Sequence, residues 1–435
     1  MTALLILPVV FALLLLFGVP VSFCIGVATV LTLFNFMPDI TTALVISAQR
    51  MTSSLDSFTL VAIPLFILAG NMMNTGGIAN RLIDLAKVVV GWLPGSLAQI
   101  TCVTNALFGA VSGSAVASAA AVGSTMAPMQ RKEGYDMAFC AAINTSTSPA
   151  GLLIPPSGAL IVYSLISGGT PIDVLFVAGY IPGILMAGLA MAWIAFKAFK
   201  GDVPRTVHRY TPAEAIKITL RALPALLLII IIMGGIIGGI FTATEAAGIA
   251  ALYTLLLGSV FYKTLTWRLL VKSTLDAAVG TAIVMLMVGI SMTMAWLLAS
   301  TGAANFLSAS IIDISSNPYV LMFLFNCLLL VFGTFMDITP ALLIFTPIFL
   351  PVATAIGISP VHFGIIIVYN LCIGITTPPV GSTLFVSSRV TGVPLGQMTR
   401  PLLPLFALQI LGLFAVTYFP ALSLWLPGVV LGKVG

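Results

Sequence analysis

Long apolar runs separated by short polar clusters occupy nearly the whole chain, and their spacing predicts a helical bundle that spans a membrane. A bilayer crossing takes about 20 apolar residues. Spans are predicted near 3–18, 21–35, 57–75, 137–163, 174–196, 222–241, 246–262, 277–299, 363–388 and 402–420. Two further apolar stretches, 97–129 and 319–353, are too long for one crossing. The first carries Gly109, Ser112, Gly113 and Ser114 at its centre, and the second Gly333, Asp337, Thr339 and Pro340. Small polar breakers in mid-run predict hairpins that enter and leave on one face.

The pattern also repeats. Gly134, Pro155-Pro156 and Gly158 recur 223 positions later as Gly357, Pro378-Pro379 and Gly381. Phe108-Gly109 returns as Phe332-Gly333 and Thr75-Gly76 as Thr301-Gly302. The longest polar run, 197–221, lies between the copies. The predicted organisation is a first repeat over 1–196, a linker over 197–221 and a second repeat over 222–435. Each repeat has five spans and one hairpin. An odd number of spans per repeat requires the second to be inverted, a sequence mark of secondary transporters. The fold class is therefore an all-α polytopic membrane protein of two inverted repeats.

Composition removes the soluble alternatives. Of 435 residues, 60% are hydrophobic and 7% charged, with a mean hydropathy of +1.19. Soluble domains carry roughly 25% charged residues. The net charge of +5 does not point to nucleic acid, because no basic patch is interleaved with aromatics. Instead, 15 of the 17 Lys and Arg fall on the predicted face opposite the termini, leaving Arg50 and Lys433 on the terminal face. The positive-inside rule then puts both termini outside. The five cysteines lie in apolar stretches without a C-x-x-C pair and read as small buried hydrophobes. No Lys or Arg precedes the first span, so it reads as a retained helix and not a cleaved signal.

The chemistry concentrates at the breaks. The runs 137–163 and 363–388 are interrupted at Asn144 to Pro149 and Pro155 to Gly158, and at Gly374 to Pro379 and Gly381 to Thr383. Proline deletes an amide donor and clashes with the preceding turn. Freed carbonyls offer a cation site, and the next half-helix offers amides to an anion. The hairpin tips add the Ser112 and Ser114 hydroxyls and the Asp337 carboxylate, with Pro340 placed to start a helix behind a Thr cap. Asp337 is the one acid predicted deep in the membrane; it is read both as a helix cap and as an ion ligand. Sodium prefers such hard oxygens. Thr242 to Glu245 spells a capping box at an outer turn. No Lys or Arg falls at mid-membrane, so an anionic substrate would be met by helix N-termini and hydroxyls. Arg389 lies about 15 Å beyond Pro379 at helical rise and reads as an inner-interface anchor. His208 and His362 fall in the linker and an outer loop. Walker A, H-E-x-x-H and G-x-S-x-G patterns are absent, so neither an ATP-driven pump nor an enzyme is expected.

Several stretches together resemble the large membrane subunit, or M component, of tripartite ATP-independent periplasmic (TRAP) transporters: Ile63 to Gly70, Gly109 to Ser114, Pro155 to Ser157, Thr242 to Ala246 and Ile375 to Gly381. The resemblance covers almost the entire chain. It implies an elevator-type symporter of the bacterial inner membrane that takes up an organic-acid anion, of the sialic acid or C4-dicarboxylate type, on a sodium gradient. It also implies a periplasmic substrate-binding protein and a small Q-type membrane subunit, expected as a separate chain because the sequence opens directly on the first span. No cofactor is implied beyond the coupling Na⁺. The matching positions make Ser112, Gly113, Ser114, Asn144, Gly333, Asp337, Thr376 and Thr377 sodium-site candidates. Ser157, Ser300, Gly381 and Ser382 are the substrate-site candidates. The family usually has Pro where this chain has Ala243, a departure confined to a turn. The alternative is a sodium/anion symporter that works without a binding protein.

Overall fold

The computed structural model describes residues 2–37, 39–204, 210–302 and 317–432. Arg205, His208, Arg209 and Lys433 lie outside them. The described chain is helical, with no strand. The first hairpin consists of helices Ser96–Ser112 and Ala115–Lys132, and the second of Pro318–Gly333 and Ile338–Ala355. The first broken helix runs Met137–Thr147, a 3₁₀ turn Ser148–Leu152 and Gly158–Ile166. The second runs Pro360–Gly374 and, after a break, Ser382–Thr391. Pro155-Pro156 and Pro378-Pro379 are both cis.

Each hairpin packs on the broken helix that follows it, and the two units exchange contacts in a matched way. The returning arm Ala115–Lys132 lies against Ser382–Thr391, and the returning arm Ile338–Ala355 lies against Gly158–Ile166. The broken helices also touch each other. The Tyr163 hydroxyl donates to the Pro360 carbonyl at 2.6 Å, and the Cys372 thiol points at the Pro149 carbonyl at 3.6 Å. Close approach of backbones is possible because glycines sit at the crossings. A Cβ on Gly109 would lie 3.1 Å from Gly151 Cα, and one on Gly374 would lie 2.6 Å from the Gly333 carbonyl carbon. In lipid, where apolar side chains gain little by leaving their surroundings, such close packing is a main source of helix association.

Around this core stand Val21–Phe36, Ile40–Leu55, Ala62–Thr75, Ala243–Leu256 and Trp267–Ser300, packed mainly on one another. Their outward faces carry exposed Ile40, Leu44, Leu252 and Leu275. An exposed apolar surface of this extent fits contact with lipid and not with water.

The structure differs from the sequence expectation in several places, among them helix Ala421–Leu431, which lies beyond the last predicted span. Helices Ile40–Leu55 and Ile78–Val90 are present but were not among the predicted spans. Both are amphipathic and contain charged or amide residues such as Arg50 and Arg81, so no 20-residue apolar window includes them. His362 is not in a loop: it lies in the first turn of Pro360–Gly374, fully buried. Its ring nitrogens face Ser423 Oγ at 2.6 Å and the Thr417 carbonyl at 3.3 Å. The helix behind the second hairpin tip starts at Ile338 with Asp337 as its cap, so Pro340 is its third residue and Thr339 is not the cap. A second capping box, Thr211 with Glu214, opens Pro212–Ile237. The expected box at Thr242 and Glu245 forms, with the Thr242 amide donating to the Glu245 carboxylate at 2.8 Å.

Candidate functional site

At the first tip the chain reverses through Gly113, whose φ of +64° suits glycine. Ser114 caps the returning arm by accepting from the Ala117 amide at 3.2 Å, while the Ser112 hydroxyl donates to the Ser114 carbonyl at 3.4 Å. Helix Ala62–Thr75 crosses this tip so closely that a Cβ on Gly70 would lie 2.5 Å from the Ser112 carbonyl oxygen. Gly158, which opens the second half of the broken helix, lies beside Gly113.

The second tip is built differently. Gly333 ends the first arm, and Asp337 opens the second by accepting from the Ile338 amide at 3.0 Å. The Asp337 side chain is accessible although Met336 and Ile338 on either side are buried. Among the described residues no donor reaches its other carboxylate oxygen. That oxygen therefore remains available to a ligand.

At the breaks, hydroxyls turn back onto the backbone. Thr376 and Thr377 both donate to the Ile373 carbonyl, at 2.7 and 2.8 Å, and Thr383 donates to the Ile375 carbonyl at 2.8 Å. Ser157 donates to the Leu152 carbonyl and accepts from the Leu160 amide at 3.3 Å. Gly381 packs on the Ile375 and Thr376 backbone, where a Cβ would clash. Ser382 begins the following half-helix with a buried hydroxyl that has no partner among the described residues. The Ser146 hydroxyl, the Thr346 hydroxyl and the Asn370 side-chain oxygen are likewise buried without a partner. A buried polar atom without a hydrogen bond is costly unless something supplies one. Hard oxygens of this kind, next to interrupted helices, suit a small cation.

Asn144 occupies the centre of a buried polar network. Its amide nitrogen donates to the Ala119 carbonyl at 2.9 Å and to Ser387 Oγ at 3.0 Å. Asn105 donates to Asn144 Oδ1 at 3.1 Å and to Thr147 Oγ1 at 2.9 Å, and accepts from Ser118 at 2.9 Å. The second unit has an analogous tie: Asn370 donates to Asn326 Oδ1 at 2.9 Å, and Asn326 donates to Thr417 Oγ1 at 2.9 Å. Asn105, Asn326 and Asn370 are uncharged and lie inside continuous apolar helices away from the hairpin tips and proline breaks, so no local break in the sequence marks them. Amides inside apolar runs, which need partners away from water, were the available signal.

Ser300 stands apart from these networks. It ends the helix Trp267–Ser300, and its hydroxyl donates to the Leu297 carbonyl at 3.1 Å.

Residues 8–422 match the family model described as "Tripartite ATP-independent periplasmic transporter, DctM component". Among similar proteins is the sialic acid TRAP transporter large permease protein SiaM of Vibrio cholerae, 38% identical over 96% of this chain and 97% of that one. Another is the C4-dicarboxylate TRAP transporter large permease protein DctM of Pseudomonas aeruginosa, 38% identical over 93% of each. The crystal structure of the Alcanivorax borkumensis YdaH transporter shares the fold, with a TM-score of 0.61 at 14% identity over 91% of this chain and 90% of that one.

Proposed function

Because the chain belongs to the DctM component of the tripartite ATP-independent periplasmic transporters, we propose that it is the large permease of a sodium-coupled importer of an organic-acid anion. The anion is delivered by a periplasmic binding protein, and a small membrane subunit completes the complex. The Vibrio and Pseudomonas relatives, named for sialic acid and for C4-dicarboxylates, support the substrate class.

The observation that carries the coupling is the set of oxygens at the breaks and tips. Asp337 keeps one oxygen free, and Ser146, Ser382 and Asn370 hold buried oxygens without partners. Sodium supplies what these groups lack. The absence of Lys or Arg from the breaks leaves the amides at Gly158 and Ser382, at the starts of half-helices, to attract the anion. The two hairpins and broken helices are read as inverted repeats that form the moving body. The helices around Ala62–Thr75 and Trp267–Ser300 are read as the scaffold of an elevator. Both termini are assigned to the periplasmic side.

Proteoliposomes holding the chain with its small subunit test this reading. Uptake of a labelled organic acid is expected only with an inward sodium gradient and the cognate binding protein. Equal uptake with potassium replacing sodium would remove the coupling. Equal uptake without the binding protein would favour the stand-alone symporter.

A further inference from the structure

A crevice of about 610 Å³, with no hairpin-tip residue in its lining, opens between helix Ile78–Val90, helix Pro212–Ile237 and the turn at Tyr262 to Thr264. Two guanidinium groups, Arg81 and Arg221, line it. Arg81 lies flat on the Tyr262 ring, 3.3 Å from its centroid, and donates to the Gly77 carbonyl at 3.1 Å. The Tyr262 hydroxyl donates to the Arg221 main-chain carbonyl at 3.4 Å. These contacts position the Arg81 guanidinium without neutralising it, and they tie the Arg221 main chain to the same ring. The one acid in the lining, Asp84, is already paired with Lys87 at 2.9 Å. Among the described residues no carboxylate meets either guanidinium.

Helix Pro212–Ile237 carries an apolar strip that begins beside Arg221. Leu220, Leu223, Leu227 and Ile230 follow at spacings of three and four residues, so they share one face, and all are exposed. Trp267 and Phe261, among the most exposed aromatics, stand nearby in sequence on the same turn, as expected at a membrane–water boundary.

We propose that this crevice binds the phosphate headgroup of an anionic phospholipid, with Arg81 and Arg221 on the phosphate and an acyl chain along Leu220 to Ile230. A paired anion is what two unneutralised guanidiniums at a membrane surface lack, and arginine matches phosphate oxygens by two parallel donors. The apolar strip starting at the same arginine selects a lipid over a free anion. Helices Ile78–Val90 and Pro212–Ile237 pack on each other, and the first also packs on the hairpin helix Ser96–Ser112 while the second also packs on Ala243–Leu256. The lipid would sit over the seam between these two helices.

Native mass spectrometry of the purified full chain tests this. Phosphatidylglycerol and phosphatidylcholine of identical acyl chains are titrated, with inorganic phosphate as competitor. Phosphatidylglycerol should be retained roughly tenfold better than phosphatidylcholine, as expected for two cations near one headgroup. The double variant R81Q/R221Q should lose that preference, and the single variants R81Q and R221Q should each lose part of it. R268Q, on the same basic face outside the crevice, should behave as the parent chain. Thermal unfolding of each variant identifies any that fail to fold, and an unchanged preference in both folded single variants overturns the site if the double variant does not fold. An unchanged preference in a folded R81Q/R221Q, or equal loss in R268Q, overturns the site. Displacement of the lipid by millimolar inorganic phosphate overturns the lipid and leaves a free-anion site.

Discussion

Gly109 of the first hairpin and Gly151 of the first broken helix meet backbone to backbone, with no room for a side chain on Gly151. Gly333 and Gly374 repeat the arrangement in the second unit. These crossings hold each hairpin against the interrupted segment where the candidate ligands lie.

Gly151→Ala and Gly374→Ala should each destabilise the chain by about 1–3 kcal/mol, the usual cost of overpacking. The added methyl meets main chain, which cannot rotate away. Gly188→Ala, in a helix with open space around it, should be neutral or stabilising by up to about 1 kcal/mol. Thermal unfolding in detergent separates them. Equal effects at Gly151 and Gly188 would show that the crossing is looser than described.

Asn105→Leu removes the group that joins Ser118, Asn144 and Thr147. Several buried polar atoms are then left unpaired, at about 1–3 kcal/mol each before relaxation. Asn105→Asp should be milder in shape but harmful in charge, because the pocket supplies one donor to that position. A melting temperature unchanged in Asn105→Leu would show that the network carries no stability.

Asp337→Asn keeps a good helix cap, so the fold should change by less than about 0.5 kcal/mol. It removes the charge that the proposed sodium site uses. Uptake should fall at least tenfold, with a raised sodium requirement. Wild-type sodium dependence in a folded Asp337→Asn would exclude Asp337 from the site.

Glu245→Ala should lower the melting temperature modestly by breaking the capping box with Thr242. Glu245→Gln retains the reciprocal bond and should retain most of that stability. Sodium dependence should be unaltered in both, since the box lies at a turn outside the hairpin core. A shift in the sodium requirement of Glu245→Gln would contradict a purely structural role.

Much of the plan could be read from the chain. Apolar runs broken by Gly113 and Asp337 gave both hairpins, which form within a few residues of the expected limits, Ser96–Lys132 for 97–129 and Pro318–Ala355 for 319–353. Proline, glycine and capping chemistry act on neighbours in sequence, so the breaks and the Thr242–Glu245 box were visible. Ile40–Leu55 and Ile78–Val90 were not, because a hydropathy window averages away a helix with one polar face.

Local chemistry along the chain thus determined where helices stop, where they reverse and which stretches lie in lipid. Which side chains meet was decided by folding alone. Asn144 and Ser387 are 243 positions apart, yet they lie 3.0 Å from each other. Arg81 and Arg221 likewise come to line one crevice only when three separate segments pack. Such pairings depend on the crossing of rigid helices, and side-chain spacing within any single helix carries no record of the partner opposite.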